Sequence, residues 1–187
     1  MSLKLKVFLI LLALFAGLFA ANALVLRLFL WPSFEAIEVR EGNRNMTRAT
    51  AAFQADADGL LAASEDWAVW DDAYQFAQDR NQRFARTNLV ASVYAAYELD
   101  LLYVIDAHGN RIGGKAFLPG SREATELPLL PARLPADHFL RPLLSATEGR
   151  AGFMPTAYGP LLVAAYPILR SDRRGTPRGL MVMGRFV

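Results

Sequence analysis

Leu99-Asp100-Leu101-Leu102-Tyr103-Val104-Ile105-Asp106-Ala107-His108-Gly109-Asn110-Arg111-Ile112-Gly113-Gly114-Lys115-Ala116-Phe117 is the stretch on which the fold turns. Residues 101–105 are a continuous apolar run of strand length. Residues 106–110 form a turn in which Gly109 and Asn110 can take positive φ. Residues 111–117 return as a second strand through Gly113 and Gly114. The stretch therefore reads as a β-hairpin. Upstream of it the chain has helical periodicity; downstream it has strand-length apolar runs.

Downstream, residues 119–142 contain Pro119, Pro128, Pro131, Pro135 and Pro142. Proline fixes φ and removes a backbone donor, so no long strand or helix is expected through Pro135. A short helix is expected over 136–145, limited by Pro142. Three further strands are expected at 151–158, 161–169 and 178–187, joined by turns at Gly159-Pro160 and over 171–177. Helices followed by five strands linked mostly by hairpins describe an α+β domain with an antiparallel sheet.

Upstream, Val39, Met46, Phe53, Leu60, Trp67 and Tyr74 recur every seven residues. Ala49, Ala63, Trp70 and Ala77 fill the partner positions, with Asp56 the exception. This heptad seam runs over five repeats. Gly42 interrupts it early. Outside the seam, residues 35–48 are very polar, which fits a solvated stalk that pairs with a second copy. The later half is richer in Ala and aromatics and fits packing on the chain's own sheet. A break is expected near Ser64-Glu65, with Ser64 or Asp66 capping a second helix.

Residues 66–76 hold Trp67, Trp70, Tyr74, Asp66, Asp71 and Asp72. On one helix Trp67, Trp70 and Tyr74 share a face, Asp71 borders it and Asp72 points away. Aromatics at this spacing form a core; they also line a pocket in which a carboxylate meets a polar or cationic group. Both readings stay open, since one helix can be wall and core. Residues 79–88 read as a loop with one helical turn, in which Arg86 and Asn88 either close a pocket or simply face solvent. The candidate ligand-binding set is Trp67, Trp70, Asp71 and Tyr74, with Arg86 and Asn88 from the loop and Tyr103 and Tyr166 from the strands.

The segment Trp-Ala-x-Trp-Asp-Asp-x-Tyr-x-Phe over 67–76, Asp79 and Asn81, Thr87-Asn88-Leu89, and the strand 99–106 with His108-Gly109-Asn110 resemble the fourth subfamily of CHASE domains. The resemblance covers roughly residues 35–187. It implies an extracytoplasmic sensory domain of a bacterial or archaeal receptor. It implies too a diguanylate cyclase, phosphodiesterase or histidine kinase output downstream of Val187, after a return span. It supplies no defined ligand. By analogy the fold is a PAS-like or Cache-like five-stranded sheet, with the long helix on one face and the loops and proline segment on the ligand-holding face.

The run from Val7 to Leu26 has only Asn22 strongly polar, and its apolar character extends to Trp31. A bilayer core of about 30 Å needs about 20 helical residues, so the run is long enough to span. It outlasts the apolar core of a cleaved signal peptide. Lys4 and Lys6 place residues 1–6 in the cytoplasm, 7–31 in the inner (cell) membrane and 32–187 outside, with a stalk helix over about 33–64. Trp31 is positioned as an interfacial anchor.

The basic balance, pI 9.1, does not point to nucleic acid. Lys4, Lys6 and Arg27 flank the span, which leaves 17 basic against 18 acidic side chains in the rest, with no long basic run. With no cysteine there is no disulfide, thiolate site or Cys nucleophile. Phosphate-loop, dinucleotide and zinc-protease motifs are absent, and His108 and His138 lack ligand neighbours at metal spacing. The expectation is a non-enzymatic sensor region without cofactor. Its partners are an unknown small-molecule ligand, the membrane and a second copy through the stalk helix. The alternative is an anchored structural or protein-interaction module that works by partner contact.

Overall fold

A computed structural model describes residues 2–27, 31–121 and 123–187; over 31–40, 42 and 43 it describes the backbone alone. The chain divides into two compact units, Met1–Ala52 and Phe53–Val187.

The first unit contains α1, Leu3–Val25, and the first part of α2, Trp31–Ala68. α1 buries none of its side chains and is long and apolar enough to cross a membrane. The expected span of 7–31 coincides with α1 over 7–25; its 28–30 portion and the Trp31 side chain lie outside the described residues. So do the side chains of Val39 and Gly42 in the heptad seam. Among the described seam residues, Met46 is exposed.

The second unit is α+β. From Phe53 onward α2 presents Ala57, Leu60, Ser64 and Ala68 as buried residues. α3 (Asp71–Asp79), α4 (Gln82–Asn88) and α5 (Ala91–Ala96) follow. The strands are β1 (Leu101–Asp106), β2 (Arg111–Phe117), β3 (Ala124–Thr125), β4 (Arg150–Thr156), β5 (Gly159–Pro167) and β6 (Gly179–Phe186). They form one sheet in the order β3-β2-β1-β6-β5-β4, antiparallel throughout.

The period of two sorts the side chains onto the two faces. Leu102, Val104, Leu162, Ala164, Tyr166, Met181 and Met183 pack with α2, α3, α4 and α5. Leu101, Tyr103, Ile105, Leu161, Val163, Ala165, Leu180 and Val182 pack under Leu127, Leu130, Leu134, Leu140 and Leu143 of the proline-rich segment. β1, β5 and β6 are buried on both faces, which is why they read as unbroken apolar runs.

Several expectations are corrected. The sheet has six strands, not five: Ala124 and Thr125 pair with Phe117 and Ala116 inside the proline-rich segment. Two residues between prolines leave no periodic signal. The expected helix over 136–145 is a 3-10 turn at Arg141–Ser145, with Pro142 in its first turn. The β4–β5 turn falls at Ala157-Tyr158, so Gly159 and Pro160 are strand residues. Residues 82–88 form a helix, not a loop, because the Asn81 side chain accepts a hydrogen bond from Phe84 N at 2.9 Å and caps it.

The hairpin is present and its turn is locked. Asp106 Oδ1 accepts from His108 N, Asn110 N and Asn110 Nδ2, while Oδ2 accepts from Arg80 Nη2 at 3.1 Å. Gly109 takes φ 84°; Asn110 does not take positive φ. Gly114 sits at φ 92° with Leu102 O where a Cβ would be, so the β1–β2 approach needs glycine there.

Candidate functional site

The helix does not break at Ser64-Glu65. Ser64 is fully buried and its hydroxyl donates to Met181 O at 3.1 Å, across 117 residues of chain. α2 runs on to Ala68. Its carbonyl accepts from Leu169 N at 3.1 Å, and Val69 bridges Leu169. Trp70 is extended, φ −145° and ψ 130°, and α3 starts after it. The signal for this break is tertiary: Leu169, just past the end of β5, catches the backbone as the helix ends.

An extended Trp70 separates the rings that one helix would have aligned. Trp67 packs edge-on against Trp70 at 6.3 Å and against Tyr97 at 6.1 Å. Trp70 leans on Phe84 at 5.7 Å, and Phe84 stacks on Phe76 at 4.7 Å. Tyr74 turns elsewhere: its hydroxyl donates to Thr176 O and accepts from Arg178 Nε. Asp71 exchanges two hydrogen bonds with Ser171, its N–H donating to Ser171 Oγ and its Oδ1 accepting from Ser171 N. It ties the start of α3 to the β5–β6 loop.

The other candidates lie apart. Arg86 donates to Gln82 O within its own helix. Tyr166 is buried on the helix-covered face, where its hydroxyl accepts from Arg173 Nη1 at 3.3 Å. Arg173 also pairs with Glu65 of α2. Burial raises the Tyr166 phenol above its ordinary value. Tyr103 lies on the opposite face, fully buried, with the Arg111 guanidinium 4.5 Å above its ring. Arg111 pairs with Glu126 at 2.6 Å, and burial raises the Tyr103 phenol too. Because Tyr103 and Tyr166 face opposite sides of the sheet, the eight candidates do not form one pocket.

Of the eight, Trp70 and Asn88 line a common cavity. It lies between α3 and α4, has a volume of about 620 Å³, and is otherwise lined by Asp72, Gln75, Asp79, Asn81, Arg83, Phe84 and Thr87. Asp72, expected to point away from the aromatics, lines it beside Trp70. The arginine here is Arg83, not Arg86. Hydrogen bonds from the Asn81 side chain and backbone hold the Asp79 carboxyl below its ordinary value.

A second cavity, about 800 Å³, opens on the loop-covered face. Its floor is the end of the sheet: Gly152 and Met154 of β4, Val163 and Ala165 of β5. Its wall is the 3-10 turn with Leu140, Pro142, Leu143 and Ser145, and Phe139, Glu148 and Arg150 border it. A Cβ on Gly152 would meet nothing within 4 Å. The groove lies on the face covered by the loops and the proline segment, the one expected to hold a ligand, but none of the eight candidate residues lines it. The one available signal is Gly152 in a strand interior, where glycine marks a bulge, a bend or close approach by another group.

His138 belongs to the cover. Its Nδ1 accepts from Leu140 N, and its Nε2 lies 2.8 Å from Leu129 O. Nε2 therefore carries the proton.

The domain is thus a six-stranded antiparallel sheet with helices on one face and an irregular cover holding a groove on the other. Residues 52–187 match the CHASE4 domain, and the chain belongs to that family. Among solved structures it is similar to the E. coli DcuS sensor domain, at 16% identity and TM-score 0.50 over 71% of this chain and 90% of that one. It is also similar to the sensor domain of the V. cholerae histidine kinase DctB, at 19% identity and TM-score 0.51 over 84% of this chain and 58% of that one. The chain thus spans little more than half of the DctB domain's length. At these identities the likeness is one of fold. No curated protein matches it in sequence.

Proposed function

We propose that this chain is the extracytoplasmic sensory region of a membrane-bound receptor, and that the groove over β4 and β5 receives its small-molecule ligand. The observation that carries the reading is the groove itself. Its volume of about 800 Å³ is within the range of small-molecule sites, and apolar side chains with a few polar groups at the rim are their usual lining. Membership of the CHASE4 family supports the sensory role. In this reading residues 7–31 span the inner membrane, 1–6 are cytoplasmic and 32–187 lie outside. The output is a diguanylate cyclase, phosphodiesterase or histidine kinase module beyond Val187.

Signalling needs a ligand that prefers one of two arrangements of the domain. The sheet is tied to α2 by Ser64 to Met181 and Asp56 to Arg185 at 3.2 Å, and the β5–β6 loop by Arg173 to Glu65. A ligand that shifted β5 and β6 would act on α2 through these contacts. Pairing of two stalk helices would relay the shift. A second reading, an interaction module, is favoured by Phe53 and Phe153. They meet edge-on at 5.3 Å and stay 46% and 40% exposed.

The test uses the whole chain in lipid nanodiscs, a metabolite library, and thermal unfolding as readout. A ligand at 100 times its Kd stabilises by about 2.7 kcal/mol. The Gly152→Phe variant, whose new side chain enters open space, is expected to fold and to lose that stabilisation. A hit that survives Gly152→Phe, or a library without hits, removes the groove as the ligand site.

A further inference from the structure

The α3–α4 cavity is separate from the groove and has its own chemistry. We infer that it is a binding site for a neutral saccharide, with the sugar ring against Trp70 and its hydroxyls among Asp72, Arg83, Thr87 and Asn88.

Trp70 is a fixed platform. It stands on an extended residue between two helices, wedged edge-on by Trp67 at 6.3 Å and backed by Phe84 at 5.7 Å. An indole so held offers an apolar π-face at little entropic cost. Around it, Phe84 apart, the lining residues carry polar or charged groups. Asp72, Arg83, Thr87 and Asn88 make no side-chain hydrogen bond or ion pair among the described residues. Asp79 Oδ1 accepts from the Asn81 backbone and side-chain N–H groups.

The charges select the ligand class. Two carboxylates and one guanidinium line the cavity. An anion meets Asp72 and Asp79; a cation meets Arg83. A hydroxyl both donates and accepts, so a polyhydroxylated neutral ring can donate to the carboxylates and accept from Arg83. It can do both with Asn88 and Thr87. A cavity of about 620 Å³ holds a mono- or disaccharide with water. The carboxylates are not assigned hydrolytic work, since nothing in the cavity marks one as acid and the other as base.

The inference does not depend on the groove, and the test keeps the two apart. The whole chain is labelled with fluorinated tryptophan in nanodiscs, which avoids detergents with sugar headgroups. The Trp70 line is assigned with Trp70→Phe. Glucose, xylose, maltose and cellobiose are titrated at millimolar concentration, with choline, glycine and acetate as controls. The expected result is a saturable shift of the Trp70 line with at least one saccharide and with none of the controls. Asp72→Ala and Arg83→Ala, both at exposed positions, are expected to weaken binding about tenfold each. Gly152→Phe is expected to leave the titration unchanged. A Trp70 line that no saccharide moves, one moved by choline or glycine instead, or a titration indifferent to both substitutions overturns the inference.

Discussion

The two faces of the sheet use alternate residues of the same strands and are closed in different ways. On one face helices supply a regular cover, in which Phe76, Phe84, Leu60 and Ala68 join the buried strand residues in one core cluster. On the other face the cover is irregular and proline-rich. Leu127, Leu130 and Leu134 share a core cluster with β1, β2 and β6, while the 3-10 turn packs on β5 and β6 and leaves the groove beside it, over β4 and part of β5. A helix can carry side chains at i, i+3 and i+4 onto a surface in rows. A chain whose prolines forbid long elements reaches it at separate points. On the loop-covered face the opening lies at the β4–β5 end of the sheet.

Core truncations on the two faces break or sharpen this contrast. Phe76 is 1% exposed, stacks on Phe84 and abuts Gly113. Phe76→Ala leaves a closed cavity and is expected to cost about 4 kcal/mol. Leu143, at 6% exposed, borders the groove, where the wall can relax into existing space. Leu143→Ala is expected to cost about 2 kcal/mol, the low end for a buried leucine. Denaturant unfolding of the two variants measures the difference. Equal costs would mean that the groove wall is as tightly held as the helical face.

The next test concerns the contact cluster in which Arg80, at the end of α3, meets Asp106 of the hairpin turn. Burial alone would raise the Asp106 carboxyl. Hydrogen bonds from the Asn110 backbone and side chain and the His108 backbone, with the Arg80 charge, outweigh it and hold the group below its ordinary value of 3.8. A depressed carboxyl stabilises the fold above its unfolded value. The contribution is lost as pH falls from about 3.8 through the lower folded value. Asp106→Asn keeps the shape, but turns an amide toward Arg80 or toward the turn N–H groups. It is expected to cost about 2 kcal/mol near neutrality. The gap from the wild type should narrow below about pH 3.8, which unfolding midpoints across the acid range would record. A gap that stayed constant would mean the charge contributes nothing.

Much of this architecture was legible in local pattern. The runs at 101–105, 161–169 and 179–186 announce strands buried on both faces, and Asp106 to Asn110 announces the turn between β1 and β2. What was not legible depends on distant chain. Trp67, Trp70 and Tyr74 fit one helix by spacing alone. The helix ends at Ala68 because Leu169, a hundred residues later, takes its carbonyl and Ser171 takes the start of α3. Asp71, chosen as a ligand contact, is occupied by that joint. Asp72, set aside, faces the cavity. The residues of the groove left almost no mark, because its existence depends on how far the 3-10 turn, which packs on β5 and β6, reaches toward β4. β3 is too short for any periodicity to show.

The smallest expected effect bears on how the helical face could carry a signal. Ser64 is a polar residue among the otherwise apolar buried side chains that α2 contributes to the core. Its hydroxyl is fully buried and donates to Met181 O, although that carbonyl belongs to a strand paired on both sides. The bond is therefore additional to the ladder, and it fixes the register of α2 along β6. Ser64→Ala removes the hydroxyl with its donor, so no unsatisfied donor is left behind. The loss is expected to be about 1 kcal/mol, below both core truncations. The informative readout is amide exchange of α2 over residues 57–68. If the hydroxyl sets the register, exchange there should rise while β1 and β5 keep their protection. A uniform rise across the second unit would mean that Ser64 adds stability alone, and that the coupling of sheet to helix rests on Glu65–Arg173 and Asp56–Arg185.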